Sequence, residues 1–289
     1  MEKCSRNRIQ AAADCGNILV NGKPAKSSYK VKPLDRIQIV MPYPRREVEL
    51  VAEDIPLDIP YEDQWLLLVD KPAGLVVHPG VGNYSGTLVN ALAWHMKDIP
   101  DYDANDPHVG LVHRIDKDTS GLLVIAKTPD AKTNLGLQFF NKTTKRRYRA
   151  LVWGVVEQDE GTIVGNIARN PKDRMQMAVM SDPTVGKHAV THYRVLERLG
   201  YVTLVECILE TGRTHQIRVH MAYIGHPVAG DPVYGPKKSA PGLDGQCLHA
   251  GLIGFCHPRD GRYLEVASEL PPYFTAFLRR IGKYDADKD

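Results

Sequence analysis

The apolar runs of this chain are short and end at glycine, proline or acidic turns. Trp65 to Val69 runs into the turn Asp70 to Gly74, and Leu122 to Ala126 lies between Gly121 and a Thr-Pro pair. Apolar runs of this length, bounded by turn residues, predict buried strands rather than helices. The chain is therefore expected to form a strand-rich α+β domain with few long helices.

Helical spacing of apolar residues is confined to a few segments. Ser5 to Cys15 predicts a short helix, Thr87 is a suitable N-cap for a second, and Pro129 suits the first turn of a third that reaches about Phe140. The segment Thr211 to Arg218 predicts a turn from strand to helix. Leu75 to Val77 is expected to form another short strand after the Asp70 turn.

Charge and cysteine content exclude several classes of protein. The 289 residues carry a formal net charge of only +3, so any affinity for nucleic acid must come from local basic patches. The five cysteines are odd in number and lack paired short spacings, which argues against a disulfide framework or a zinc cluster. No signal peptide or run of membrane-spanning length is recognised, so we expect a protein of the reducing cytoplasm.

The loop from His113 to Gly121 holds the main candidate for chemistry. Asp116 lies beside the basic residues Arg114 and Lys117, and nearby positive charge favours the ionised carboxylate. An ionised carboxylate at the edge of a sheet can act as a nucleophile or as a base. The alternative is that Asp116 only caps a turn, since short acidic turns are common.

Three sequence blocks together resemble one family. They are His113 to Leu122, Lys145 to Gly154 and Leu209 to His220, and in this order they are similar to the signature of the RluA/RluD-type RNA pseudouridine synthases. The likeness extends from about Glu53 to Leu278. It implies a catalytic domain over residues 47–285 with a mixed, largely antiparallel central sheet and flanking helices, which isomerises uridine to pseudouridine without a cofactor or metal.

The resemblance also implies roles for individual residues. Asp116 would be the nucleophile, Arg218 the arginine that pairs with it through its planar fork, and Tyr148 the residue that stacks on the flipped base and is also a candidate to take its C5 proton. Arg114 would move into the space that the base leaves. The other residues implied to bind the substrate are His113, Thr119, Arg213 and His215.

Two basic regions are candidates for binding RNA. The first is the run from Lys142 to Arg149, within which we predict RNA contacts by Lys145, Arg146 and Arg147; the alternative is a solvated strand edge. The second is residues 1–46, which resemble a truncated S-four-type RNA-binding module with Arg6 and Arg8 as candidate contacts and a proline-broken linker at 41–46. The alternative for this module is a small cap that does not bind RNA.

The resemblance implies RNA as the partner of a monomeric protein. Large-subunit ribosomal RNA is the expected substrate, because an appended RNA-binding module is typical of that branch, and a pre-ribosomal particle is a further candidate partner. The rivals are a transfer-RNA substrate, a non-catalytic RNA-binding or ribosome-assembly factor, and a hydrolase that uses Asp116 with a histidine. The hydrolase lacks a recognisable Ser or Cys nucleophile motif.

Overall fold

The chain forms two compact units in the computed structural model, which describes residues 6–40, 50–80, 82–100, 108–173, 176–236 and 242–281. One unit precedes residue 50 and the other begins at Leu50. The predicted linker, residues 41–46, lies outside the described residues. The assignment of functions to residues 1–46 and 47–285 stays a prediction.

The N-terminal unit, over its described residues 6–40, contains one helix and a small sheet. Its elements are α1 (Arg6–Asp14), β1 (Ile18–Val20), β2 (Lys23–Pro24) and β3 (Ile37–Ile39). The sheet order is β2-β1-β3, and β1 pairs antiparallel with both neighbours. Asn21 and Gly22 join β1 to β2 with φ of 51° and 81°, the left-handed conformation that a two-residue hairpin turn requires. Whether this unit is an S-four-type module stays a prediction.

The second unit is built on a long sheet with four helices in its described part. The strands are β4 (Tyr61–Glu62), β5 (Leu66–Lys71), β6 (Ser120–Ala126), β7 (Lys145–Trp153), β8 (Glu160–Arg169), β9 (Met177–Met180), β10 (Lys187–Arg198), β11 (Val202–Leu209), β12 (Leu248–Cys256) and β13 (Tyr263–Ala267). The helices are α2 (Leu88–His95), α3 (Pro129–Phe140), α4 (Gln216–Tyr223) and α5 (Pro272–Ile281).

The strand order of this sheet is β4-β5-β6-β12-β7-β11-β10-β8-β9, and β13 also pairs with β12. All the described pairs are antiparallel except β6 with β12, which run parallel where Ser120 lies opposite His249. The expected fold class, a mixed and largely antiparallel sheet with flanking helices, is confirmed. A strand from late in the chain therefore separates β6 from β7, which are joined only by α3.

The parallel contact between β6 and β12 depends on Gly121. A Cβ atom at this position would lie 2.4 Å from the carbonyl oxygen of Ala250, and the φ of 114° is one that other residues rarely adopt. Close approach of the two backbones is therefore possible only with glycine here. It fixes the C-terminal end of the loop that carries Asp116.

The continuous apolar run of β5 is explained by burial on both faces. Leu67 and Val69 belong to a core that includes residues of α2 and α4, whereas Leu66 and Leu68 belong to a second core that includes residues of α3. Alternate side chains of a strand point to opposite faces, so a strand covered on both sides has no polar face. No helix in the described part of the chain is long and apolar enough to cross a membrane.

The predicted strand from Leu75 to Val77 is wrong. The carbonyl oxygens of Val76 and Val77 accept hydrogen bonds from the first backbone N–H groups of α2, at 2.8 and 3.1 Å. This segment thus satisfies the free donors at a helix start instead of pairing in a sheet. The predicted cap of α2 is confirmed, because Thr87 and Asn90 form a reciprocal capping box.

Candidate active site

A cavity of about 550 Å³ lies beside the loop that carries Asp116. Its walls come from this loop, the end of α3, the start of β7 and the turn that leads from β11 into α4. We call it the central cavity, because its walls include residues of β7 and β12, in the middle of the sheet. A volume of this size is typical of sites for drug-sized ligands, and a nucleoside falls in that range.

Asp116 meets Arg218 inside the central cavity. The Arg218 Nη1 donates a hydrogen bond to Asp116 Oδ2 at 2.9 Å, and His215 Nε2 lies 3.9 Å from the other carboxylate oxygen. The Arg218 side chain is buried, while that of Asp116 is partly open to the cavity. The carboxylate is therefore held by a buried cation and can still be reached by a ligand.

The fork of Arg218 is used differently from our expectation. We expected it to grip Asp116, but Nε and Nη2 donate to the two oxygens of Asp231, at 2.7 and 2.9 Å, and only Nη1 remains for Asp116. Burial acts to lower the pKa of Arg218, but the hydrogen bonds and charges of Asp231 and Asp116 outweigh it and raise that pKa. Arg218 is therefore permanently charged, and its plane is fixed by Asp231.

Asp231 is a site residue that the sequence did not identify. Its Oδ1 also accepts hydrogen bonds from the backbone N–H groups of Val233 and Tyr234, at 2.8 and 3.1 Å. The hydroxyl of Tyr234 in turn bonds to His215 Nδ1 at 2.9 Å. The only sequence signal was the Pro- and Gly-rich composition of this segment, which predicts a loop of the kind that lines clefts.

Tyr148 reaches the central cavity from the middle of β7. It is largely buried, and because alternate residues of a strand share a face, Arg146 points the same way while Lys145 and Arg147 point to the opposite face. Burial is the largest cause of a raised pKa at Tyr148; the Asp116 charge acts in the same direction and the Arg146 charge opposes it. The side chain is thus a neutral phenol near pH 7.

The basic run does not lie at a strand edge. β7 is flanked by β12 and β11, so the alternative of a solvated edge is wrong. Lys145 pairs with Glu265 at 2.7 Å, and an Arg147 nitrogen lies 3.9 Å from Glu206. Of the three predicted RNA contacts in this run, Arg146 lines the central cavity. The roles of the other two stay predictions.

The five residues predicted to bind substrate all line the central cavity; they are Arg114, His113, Thr119, Arg213 and His215. The His113 Nε2 accepts a hydrogen bond from the Val124 N–H at 3.0 Å, and its ring stacks on Phe139. Burial lowers the pKa of His113 to about 3. His113 is therefore neutral, with its proton on Nδ1.

Three of these residues are fixed by contacts of their own. The Thr119 hydroxyl accepts a hydrogen bond from Gln246 at 3.1 Å, and Arg213 Nε donates to the His188 carbonyl oxygen at 3.0 Å. His215 is the N-cap residue of α4 and has a left-handed φ of 55°. The turn into α4 therefore directs His215 and Arg218 toward the same carboxylate.

Lys71 is a second residue that the sequence did not identify. It is fully buried, and its Nζ donates to the carbonyl oxygens of Pro72, Leu75 and Lys117, at 2.7, 2.9 and 2.8 Å. Lys117 directly follows Asp116, so this ammonium group ties the end of β5 to the loop of the candidate nucleophile. Its sequence context, Asp-Lys-Pro-Ala-Gly, predicted only a turn.

The predicted contacts Arg6 and Arg8 belong to α1 in the N-terminal unit. Their side chains lie outside the described part of the structure. Their role in binding RNA stays a prediction.

Comparison with known proteins gives a consistent family. A family model described as RNA pseudouridylate synthase matches residues 65–223. The chain is 49% identical over 279 residues to the uncharacterized RNA pseudouridine synthase YlyB of Bacillus subtilis. This alignment covers 96% of the present chain and 90% of YlyB. It is 45% identical over 284 residues to ribosomal large subunit pseudouridine synthase D of Nitrosomonas europaea. This alignment covers 96% of the present chain and 80% of the Nitrosomonas protein.

Solved structures show the same likeness. Human RNA Pseudouridylate Synthase Domain Containing 1 superposes with a TM-score of 0.60 at 26% sequence identity, over 81% of this chain and 90% of that chain. Asp116, Tyr148 and Arg218 all fall within the residues that the family model matches.

Proposed function

The chain belongs to the RNA pseudouridylate synthase family and is an RNA pseudouridine synthase, and on that premise we propose that it modifies uridines of large-subunit ribosomal RNA with Asp116 as its nucleophile. The substrate is supported by the Nitrosomonas europaea relative, whose name specifies the large ribosomal subunit. A relative from Zymomonas mobilis, 47% identical over 251 residues, has the same name.

One observation carries the assignment of the site. Asp116, open to the central cavity, accepts a hydrogen bond from the buried Arg218, and Tyr148 lines the same cavity. An accessible carboxylate, a fixed cation and an aromatic ring are what a reaction on a single flipped base requires. The three groups come from separate segments of the chain, which only the folded sheet brings together.

The reaction breaks the bond between N1 of uracil and the sugar and joins the sugar to C5 of the same base. It is an isomerisation with no net change in oxidation state, and the base must first leave the RNA stack. In the proposed mechanism, one Asp116 oxygen forms a transient covalent bond, either to the sugar or to the base. The bond from N1 to the sugar breaks, the base rotates and C5 bonds to the sugar. The bond to Asp116 is then released, and C5 loses a proton while N1 gains one.

Arg218 is the residue that we assign to hold the nucleophile. Its Nη1 hydrogen bond aims the Asp116 oxygen, and its buried positive charge lies directly beside the carboxylate. Asp231 acts through Arg218, because its two oxygens fix the guanidinium plane. Lysine cannot replace this arrangement, since a single ammonium group lacks the planar fork.

The remaining cavity residues are assigned to the substrate. We assign Tyr148 to stack on the flipped base and to take the C5 proton, and Arg114 to enter the space that the base leaves in the RNA. His113, Thr119, Arg213 and His215 are proposed to contact the flipped nucleotide. We further propose that the protein acts as a monomer in the cytoplasm, on free ribosomal RNA or on a pre-ribosomal particle.

The test is a position-by-position map of pseudouridine in total RNA from cells that contain or lack this gene. The deleted strain is complemented with wild type, with Asp116→Asn or with Arg218→Lys. We expect large-subunit sites to disappear on deletion and to return fully with wild type only. Changes confined to transfer RNA would replace the substrate assignment, and full rescue by Asp116→Asn would remove Asp116 from the mechanism. No change at any site would favour a non-catalytic RNA-binding factor.

A further inference from the structure

Arg146 carries a buried charge that no described residue neutralises. The side chain lines the central cavity, yet the residue is only 8% exposed. Its Nε has no hydrogen-bond partner, and no ion pair joins Arg146 to any carboxylate in the described ranges. Arg218, in the same cavity and equally buried, has two carboxylate partners. Buried charges in proteins are normally paired, because leaving water is costly for an ion.

The groups around Arg146 are neutral. Its Cζ lies 5.6 Å from the centre of the Phe139 ring, and its Nη1 lies against Gly212, where a Cβ atom would come within 2.8 Å of it. His113 is uncharged, partly because Arg146 opposes its protonation, and Tyr148 is a neutral phenol. The guanidinium group is therefore held in place by packing, and its hydrogen-bonding capacity is left for a ligand.

We propose that Arg146 forms an anion site in the wall of the central cavity that binds a backbone phosphate of the substrate RNA. This inference rests on the proposed function, because it takes RNA as the ligand of this cavity. A guanidinium fork matches two phosphate oxygens, and phosphate is the anionic group that every nucleotide of RNA supplies. Lys142 and Arg114, both exposed at the same cavity, extend positive potential outward from it.

The first test uses inorganic phosphate as the probe, so that it does not depend on RNA chemistry. Thermal unfolding is measured with increasing phosphate against chloride at equal ionic strength, for wild type, Arg146→Met, Arg146→Gln and Arg194→Met. Arg194 is the matched control, because it has the same charge but is exposed and already pairs with Glu206 at 3.1 Å.

Phosphate is expected to raise the unfolding temperature of wild type and of Arg194→Met, because a ligand that binds only the folded state stabilises it. That rise should be lost in both Arg146 variants. Without phosphate, Arg146→Met should unfold roughly 2 °C or more above wild type, since an uncompensated buried charge has been removed. An undiminished phosphate response in Arg146→Met and Arg146→Gln would overturn the anion site. A lower unfolding temperature in both would assign Arg146 a structural role instead.

The second test measures RNA affinity against salt concentration, on a background of Asp116→Asn to prevent turnover. Loss of one phosphate contact should reduce the slope of log affinity against log salt by about one, and weaken binding roughly 10- to 100-fold. Arg194→Met should leave the slope unchanged. An unchanged slope in the Arg146 variants would also overturn the proposal. Failure of the proposed function is distinguishable, because it would appear as absence of pseudouridine formation by wild type.

Discussion

Tyr148 and Asp116 are linked through charge in a way that depends on the stage of the reaction. The Asp116 carboxylate helps to raise the pKa of Tyr148, whereas Arg146 opposes that rise. In the proposed mechanism, Asp116 loses its negative charge once one of its oxygens is covalently bonded to the substrate. The phenol then loses one cause of its raised pKa, and it becomes a better group to accept a proton through its ionised form. This favours a proton role for Tyr148 in addition to stacking.

We therefore expect Tyr148→Phe to lower kcat by roughly 100- to 10,000-fold, the usual contribution of general acid–base catalysis. RNA affinity should change by less than about threefold, since phenylalanine preserves the stacking surface. Single-turnover pseudouridine formation and equilibrium binding measure the two effects separately. A kcat close to that of wild type would assign Tyr148 to stacking alone.

His113 makes stability depend on pH. Its pKa falls from 6.5 to about 3 on folding, so between these values the unfolded chain binds the proton and the folded chain does not. Stability from this residue is therefore present above pH 6.5 and is lost as the pH falls toward 3. In His113→Gln, the amide oxygen can accept the Val124 hydrogen bond without titrating.

The measurement is urea unfolding of wild type and His113→Gln across pH 4.5 to 7. The difference in unfolding free energy should move by about 2 kcal/mol over this range, to the disadvantage of wild type at low pH. Carboxylates that titrate in the same range cancel in the difference. Parallel pH profiles for the two proteins would contradict the buried neutral state of His113.

The residues of the site differ in how visible they are in sequence. Asp116, Tyr148 and Arg218 belong to sequence motifs that indicate a catalytic role, and all three line one cavity in the structure. Asp231 and Lys71 act through partners distant in sequence, Arg218 in one case and the Lys117 carbonyl in the other. No local pattern specifies such pairs, because they form only after the sheet has assembled.

At the scale of elements, the loop before β6 is held at its middle and at its C-terminal end. Gly121 fixes its end against β12, and Lys71 at the end of β5 fixes its middle through the carbonyl of Lys117. Burial lowers the pKa of Lys71 to about 7, while the charges of Asp118 and Asp116 act to raise it. One of the Lys71 partners, the carbonyl of Leu75, belongs to the segment Leu75 to Val77. This segment does not form a strand, because its carbonyl oxygens bind Lys71 and the first N–H groups of α2.

Lys71→Met should therefore disturb the loop rather than the cavity walls. The change removes a buried donor from three carbonyl oxygens, of which that of Lys117 keeps the Gly74 N–H at 3.0 Å, and we expect a loss of about 3 kcal/mol in the free energy of unfolding. Because Lys117 adjoins Asp116, kcat should fall while RNA affinity changes little. Urea unfolding and single-turnover kinetics at a temperature where the variant is folded check both effects. Wild-type stability together with wild-type kcat would show that the three hydrogen bonds do not hold the loop.

At the scale of the whole molecule, the order of the strands in the sheet could not be predicted from the sequence. Individual strands and helices follow from short apolar runs, turns and caps, and most were predictable. The insertion of β12 between β6 and β7 joins segments about 100 residues or more apart. That insertion places the Asp116 loop and Tyr148 on either side of one strand, and so creates the central cavity.

The N-terminal unit provides the last prediction, because a role of this unit in RNA binding would depend on its surface charge. Lys23, Lys26 and Lys30 are all exposed on this unit. If it binds the phosphate backbone, replacing the three by glutamine should raise KM roughly 10-fold and make the salt dependence of RNA binding shallower by about two, while kcat is unchanged. Steady-state kinetics on large-subunit ribosomal RNA and binding across a salt series give these values.

The control for this prediction removes three exposed charges from the catalytic unit, at positions away from the cavity: Arg194, Arg262 and Arg279. A general loss of positive charge would weaken RNA binding equally in both triple variants. A specific contact surface on the N-terminal unit would affect only the lysine variant. An unchanged KM in the lysine variant would instead assign the unit the role of a cap that does not bind RNA, and would leave recognition of the RNA to the catalytic unit.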